Sequence, residues 1–563
     1  MEAVMSGGLK EYGVLFSNSK LYSPALQRED QQGFQEHLRK LHQNKLEAWC
    51  PCQTRAKPRI FSRLRGRTYH PVKESNSGPR HSFDCTRYSL PNDFSGRGTY
   101  TVGVVEETKH GIQITFREPM TRRPTPAEST GTGLSRVSGS GRTQSRMSPR
   151  GLLDYFWTEA SLNRWHPNMA GKRSWGVVAR ELNKAAEPIR LNGVPLSEYL
   201  MVLEPDLTGS SLHASTRRFI ATAKRLAAAD RGDTPRVLII VEIQAVHRDI
   251  DGTSLDIGAS WSGVGLRVHV DEHGFEVLKR GSVDFRRLAE NAPIHDRGEV
   301  RLVALLQIEI SGQQGDWIAN VQSGAVSAMT AQFIPYASDY ERRFTRDLIA
   351  EERWFIKPLR YDAAEVVFPD ALLLDGKDRP RAMEVYGRNG DPVYRKRKET
   401  KTALYADGAA GAQPWVWDVP AGADPWTVKR PPFPQRVIHP KAKQGKEHHV
   451  GWHKAIPTNT AQKHETPQAD FVRPPLPQVP IGRPAFTPPS APTLEQDRLG
   501  PSYGAYESNL MTRSPPPPLP DSPDERNPIR LVLKPQEPLQ PETPLPTSIS
   551  LPLWRRVLKL FFG

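Results

Sequence analysis

The stretch Pro369-Asp370-Ala371-Leu372-Leu373-Leu374-Asp375, then Gly376-Lys377-Asp378-Arg379-Pro380, then Arg381-Ala382-Met383-Glu384-Val385-Tyr386-Gly387, decides how the chain is read. It reads as a strand, a turn and a second strand. Pairing the strands about that turn sets Asp375 against Arg381 and Asp370 against Tyr386, leaving Asp370 and Glu384 as diagonal neighbours on one face. Two carboxylates beside leucines repel each other unless they share a cation, and a diagonal spacing of about 6–8 Å leaves room for a hard ion such as Mg2+. The competing reading puts one acid on an exposed sheet edge, paired with a nearby arginine.

Outward from the hairpin, Ser338 to Glu352 is helical in pattern and Trp354 to Leu359 reads as a strand. On the other side, Asp391 to Ala406 is helical, with Tyr394, Lys398, Lys401 and Tyr405 on one side of it, and Pro414 to Asp418 is a strand. This order resembles the PD-(D/E)xK nuclease core, in which an acid pair binds magnesium and a lysine orients or activates the attacking water. The resemblance implies Asp370 and Glu384 as the magnesium ligands. Two residues after the glutamate, where that core usually has lysine, stands Tyr386. Lys398 or Lys401 must then bring the charge from the helix; otherwise the site is degenerate and the unit only grips nucleic acid.

The blocks LLDYFWTEASLNRWHPNMAGKRSW (152–175) and PDALLLD, RPRAMEVYG, YRKRKETKTALYAD and WVWD resemble the uncharacterised family numbered eleven seventy-three among domains of unknown function. Its members ride on plasmids and integrative conjugative elements, which implies a mobile-element accessory protein. A more distant likeness, at the level of motifs, is to the competence protein CoiA family, a presumed nuclease lineage.

All three cysteines fall in one region, Cys50-Pro51-Cys52 and His81-Ser82-Phe83-Asp84-Cys85. Together with His81 they supply the four soft ligands that tetrahedral zinc accepts in a structural site, and no disulfide framework remains. The alternative is unliganded thiols in a reducing compartment. Between the pairs run Arg55, Lys57, Arg59, Arg63, Arg65, Arg67, His70 and Lys73, with Phe61 and Tyr69 interleaved. Phosphate contacts need only such loosely spaced cations, so this segment is a candidate nucleic-acid-binding ribbon, its alternative being a solvated face. Lys and Arg number 77 against 62 acidic residues, a net charge of +15, which suits a polyanionic partner.

The expected fold class is α+β. A basic zinc-binding module covers 1–120, a flexible Ser/Thr/Gly/Pro-rich linker 121–150, and an α+β middle domain of helices and antiparallel sheet 151–335. In that middle domain Val237 to Ile243, Val264 to Val270, Phe275 to Leu278, Leu302 to Ile310 and Trp317 to Val321 read as strands. The nuclease-like α/β unit covers 336–425. Residues 426–563, with roughly half of the 52 prolines, are expected to be disordered. Their end, Leu551 to Phe562, forms an amphipathic pattern suited to a membrane surface or a protein partner's groove. No run is apolar enough to span a bilayer and the opening residues lack a secretory signal, so the expected location is cytoplasmic. Function therefore stands between nucleic-acid binding with Mg2+-dependent cleavage, binding alone, and a scaffold acting through the tail.

Overall fold

The structure, a computed structural model, describes residues 9–122, 144–204, 214–227, 234–249, 252–258, 261, 264–363, 368–377, 380–387, 391–406 and 413–437. Most of the expected linker, and the tail beyond 437 with its amphipathic end, lie outside the described residues. Every described residue belongs to one compact unit. The protein is α+β throughout that part. Among the described residues no helix is long and apolar enough to cross a membrane.

Near the amino terminus, the helix Gln31–His42 starts at Asp30, whose carboxylate accepts the Gly33 N–H at 2.9 Å. Its Phe34, Leu38 and Leu41, spaced on one face, close over a three-stranded sheet and the sulfurs of Cys50 and Cys85. The basic segment forms a hairpin, Ile60–Arg65 against Thr68–Lys73.

Residues 104–120 leave this module. The hairpin Val105–Thr108 and Gly111–Ile114 takes Ile189–Leu191 as a parallel neighbour, and Val104, Ile112, Phe116 and Met120 share a core with Leu152, Leu153 and Phe156. These apolar residues of the expected first module thus pack with the middle of the chain, and Leu359 and Tyr361 join the same core.

The middle domain is a seven-stranded sheet built around the long hairpin Val300–Gln313 and Asp316–Thr330. It is mixed rather than antiparallel: Leu266–Val270 runs parallel to Asp316–Thr330, and Leu200–Met201 parallel to Val237–Glu242. A helix-bearing connection permits such pairing, and Phe275–Leu278, expected as a strand, lies in one of those helices, Glu272–Gly281. Asp271 caps it by accepting the Gly274 N–H at 2.7 Å, and Phe275 and Leu278 fall together on its buried face.

The carboxyl-terminal unit consists of α1 (Asp339–Ala350), β1 (Phe355–Ile356), β2 (Ala371–Leu373), β3 (Arg381–Tyr386), α2 (Pro392–Ala406) and β4 (Trp415–Asp418). The strands β1, β2 and β3 form an antiparallel meander, and β4 returns beside β3 in parallel after the α2 crossover. Arg164–Trp165, from the first family-like block, adds a fifth strand beside β1. Alternation assigns the faces. Ala371, Leu373, Met383 and Val385 pack on Phe344 and Leu348 of α1, while Leu372 and Ala382 face Tyr405 of α2.

The β2–β3 register is Leu373 with Arg381, Leu372 with Ala382 and Ala371 with Met383, two residues from the expected one. Asp375 has left the ladder to take Arg353, with Nη2–Oδ1 at 2.8 Å and Nε–Oδ2 at 3.0 Å, and to accept the Trp354 N–H. The unit also extends past its expected end at 425. Phe433 packs edge-on to Phe344 and tilted to Trp415, and the Val437 N–H donates to the Asp375 carbonyl at 2.8 Å.

Removing one partner of a buried ion pair strands the other charge. Asp375→Ala should therefore lower stability by about 3–5 kcal/mol in urea unfolding of the full chain, whereas a loss under about 1 kcal/mol, as exposed pairs give, would contradict the burial assigned to Arg353 and Asp375.

Candidate metal centre and carboxylate site

Extending the observed register by one residue sets Asp370 directly opposite Glu384, not diagonal to it; a two-residue shift leaves both on one face. The Asp370 N–H donates to Met383 O at 2.9 Å, and its Oδ2 accepts the Val385 N–H at 2.8 Å. Glu384 has no exposed surface, and Asp370 is 8% exposed.

Helix α2 reaches this face from above. Asp391 accepts the Tyr394 N–H at 3.3 Å at its start, where Pro392 costs no hydrogen bond. Along its inner side Tyr394 donates to the Val385 carbonyl at 3.2 Å, Lys398 lies 5.0 Å over the Tyr386 ring, and Lys401 places Nζ 2.6 Å from Glu384 Oε2. One turn on, Tyr405 donates its hydroxyl to Glu384 Oε1. Of the two candidate lysines, Lys401 meets the acid, whereas Lys398 pairs with Asp418 at 2.6 Å.

Burial pushes the Glu384 carboxyl up, and the charge of Asp370 pushes it further; Lys401 and Tyr405 oppose this, leaving it at about 7. Burial alone would depress Lys401, but the attraction of Glu384 and Asp370 outweighs it and holds the ammonium above its ordinary range. Three charged residues outside the expected site stand beside this field. Glu341 of α1 is ion-paired with Lys357 at 2.7 Å and lies 3.7 Å from Arg360, and Arg360 in turn feels the charge of Asp370. Tyr405 was legible as the position four beyond Lys401; nothing in the spacing marks Lys357 or Arg360.

The second cluster is Cys50, Cys52, His81 and Cys85, whose donor atoms all lie within 4.8 Å of one another. The cysteines are free. Cys50 and Cys85 sulfurs are 3.8 Å apart, and His81 Nδ1 is 3.4 Å from Cys52 Sγ and 3.6 Å from Cys85 Sγ. Tetrahedral zinc, with bonds of about 2.3 Å to sulfur and about 2.0 Å to nitrogen, places sulfurs about 3.8 Å apart and sulfur and nitrogen about 3.5 Å apart. These three edges match, so the cluster could hold a metal such as zinc. Backbone N–H groups of Ser82 and Arg87 point at Cys52 and Cys85 sulfurs, as thiolates favour. Burial holds His81 below its ordinary value, which keeps the imidazole neutral and able to ligate.

The basic hairpin presents less than a continuous ribbon. Arg63 is buried and donates to the Thr108 carbonyl at 2.8 Å, and Arg65 leans 3.6 Å from Glu187. Both serve the contact with residues 104–120 and the middle domain. Lys73 donates to Ser89 at 3.2 Å, and Arg59 pairs with Glu47 at 2.6 Å. Arg55, Lys57, Arg59 and Arg67 are exposed.

A buried acid pair on a sheet, met by a lysine from a crossover helix, and a separate Cys/His cluster define the class of site this chain carries. The model of the family described as "Protein of unknown function (DUF1173)" matches residues 24–420, which span both sites, and the chain belongs to that family. No curated protein and no solved structure matches it, so nothing in these comparisons bears on the motif-level likeness to CoiA.

Folded Glu384 binds its proton more tightly than the unfolded chain does. Stability should thus fall as pH rises from the ordinary carboxylate range through about 7, and Glu384→Gln should flatten that stretch of the profile. Urea midpoints between pH 5 and pH 8 that are equally steep in Glu384→Gln and wild type would assign the dependence to other groups.

Proposed function

We propose that this protein binds nucleic acid and cleaves it at the Asp370–Glu384 site with a divalent cation, as an accessory protein of mobile DNA. The observation that carries the reading is the contact of Lys401 Nζ with Glu384 Oε2 at 2.6 Å, beside Asp370, in a unit ordered helix, three strands, helix, strand. That order is the one in which the chain resembles a PD-(D/E)xK core, and it supports this reading. Lys401 would replace the lysine that Tyr386 displaces. The residues fit a hard cation: two carboxylates share a face, and burial, with the charge of Asp370 added to it, disfavours the ionised form of Glu384 that a bound cation would restore. Mg2+ held by Asp370 and Glu384 would polarise the phosphate and lower the pKa of bound water. Lys401 would orient the attacking water. Tyr405 donates its hydroxyl to Glu384 and so fixes its rotamer, and a cation bound there would favour the ionised form of Glu384 that serves as ligand.

An open groove of about 810 Å3 beside α2 and β4 is lined by Arg395 and Lys398 together with Glu399 and Asp418, and its two cations would be the ones to meet a phosphate backbone. Arg55, Lys57, Arg59 and Arg67 would add exposed positive charge elsewhere. A second reading, binding without cleavage, is favoured by Tyr386 and by the engagement of both Glu384 oxygens with Lys401 and Tyr405.

Asp370→Ala and Glu384→Ala should each abolish Mg2+-dependent cleavage while nucleic-acid binding persists and weakens steeply with salt; Lys401→Ala should lower the rate without lowering cation affinity. Wild type that binds but never cleaves with Mg2+ or Mn2+ would leave the second reading standing.

We also infer that the Cys50, Cys52, His81 and Cys85 cluster is a structural zinc site. Full-length protein purified without chelator should carry about one zinc per chain, lost in Cys50→Ser and Cys85→Ser. Wild type lacking zinc by elemental analysis would end this assignment.

A further inference from the structure

The face of the sheet that carries the two acids is covered from two sides. Along β2 and just beyond it, alternate residues Asp370, Leu372 and Leu374 point to this face. Helix α2 covers the Asp370 end. Phe83 and Tyr88, from the segment that contains Cys85, cover the other by packing on Leu374 and Ile356. Between them Leu90 joins both groups: it packs against the Phe83, Tyr88 and Leu374 cluster and against the cluster of Leu372, Ala382 and Tyr405. Tyr405 is the residue whose hydroxyl donates to Glu384.

This segment is anchored at the metal centre and on the sheet. The Tyr88 N–H donates to the Cys85 carbonyl at 3.1 Å, and the Cys85 N–H to the Ser82 carbonyl at 2.9 Å, so the turn after His81 runs directly into Tyr88. The Tyr88 carbonyl accepts from Arg164, whose guanidinium also lies 5.3 Å over the Tyr88 ring, and Arg164 belongs to the strand beside β1. Phe83 and Tyr88 meet edge to face at 5.0 Å. Only Thr86, Arg87, Tyr88 and Ser89 lie between Cys85 and Leu90, too few to absorb a displaced metal loop without moving Leu90.

We propose that the Cys50, Cys52, His81 and Cys85 centre positions the carboxylate site: the metal fixes Phe83 to Leu90 against the sheet, and Leu90 holds Tyr405 on Glu384. Leu90 and Tyr405 are positioning residues. The inference rests on the reading of the centre as metal-bearing and is independent of whether the site cleaves anything. It also makes the carboxylate site sensitive to oxidation or chelation of thiols that take no part in it.

Hydrogen exchange of the full-length protein, read by peptide, tests this. Stripping the metal with a zinc chelator should raise exchange by about tenfold or more in peptides covering 381–386 and 399–405, leave 300–330 unchanged, and be reversed by added zinc. Leu90→Ala, with metal content confirmed by elemental analysis, should raise exchange at 399–405 in the same way, and Leu90→Met should restore protection. Increased exchange confined to 45–90 after chelation overturns the proposal. So does Leu90→Ala that keeps its metal and leaves 399–405 protected. Protein that carries no metal at all removes the metal-centre reading on which the coupling rests, and leaves the cleavage reading to its own test.

Discussion

A carboxylate with no exposed surface sets the terms for the carboxyl-terminal unit. Glu384 has lost its hydration, and only charge and hydrogen bonds delivered from neighbouring elements can compensate. Lys401 and Tyr405 do so from α2, while Asp370 across the ladder works against them. A site balanced this way holds one unit of negative charge comfortably and two poorly, which is the condition for accepting a cation. The crossover helix must pass directly over β3 for these contacts, and β4 must then run parallel to it.

The two blocks that carry the family resemblance, 152–175 and 369–418, are distant in sequence and meet in one sheet. Arg164–Trp165 pairs with β1, the Asn163 side chain donates to the Lys357 carbonyl at 2.8 Å, and Asp154 accepts the Tyr361 N–H at 2.8 Å. The first block thus braces the loop that bears Lys357 and Arg360. The amino-terminal Cys/His segment roofs the same sheet through Tyr88 and Leu90. Three stretches that read as separate modules converge on one face.

The acid hairpin was legible because side chains alternate along a strand: a register error of two residues, caused by Asp375 turning away to Arg353, leaves every residue on its face. The Cys/His cluster was legible because few other arrangements use three cysteines and a histidine so close in sequence. The helical side that joins Lys401 and Tyr405 followed from the period of α2. What stayed hidden depends on tertiary contacts. Arg63 and Arg65 look like phosphate ligands in a charge run, yet they face residues 104–120 and Glu187. Phe275 and Leu278 fit a short strand until Asp271 is seen to cap a helix. Leu90 carries no signal of its own, since the cluster it meets on the carboxylate face, Leu372, Ala382 and Tyr405, is remote from it in the sequence.

Diffraction from crystals soaked in Mn2+ addresses the central claim directly. The account predicts an anomalous peak within bonding distance of carboxylate oxygens from both Asp370 and Glu384, with Lys401 withdrawn from Glu384 Oε2. Crystals at saturating Mn2+ that show no peak there, with Lys401 still on Glu384, would contradict it.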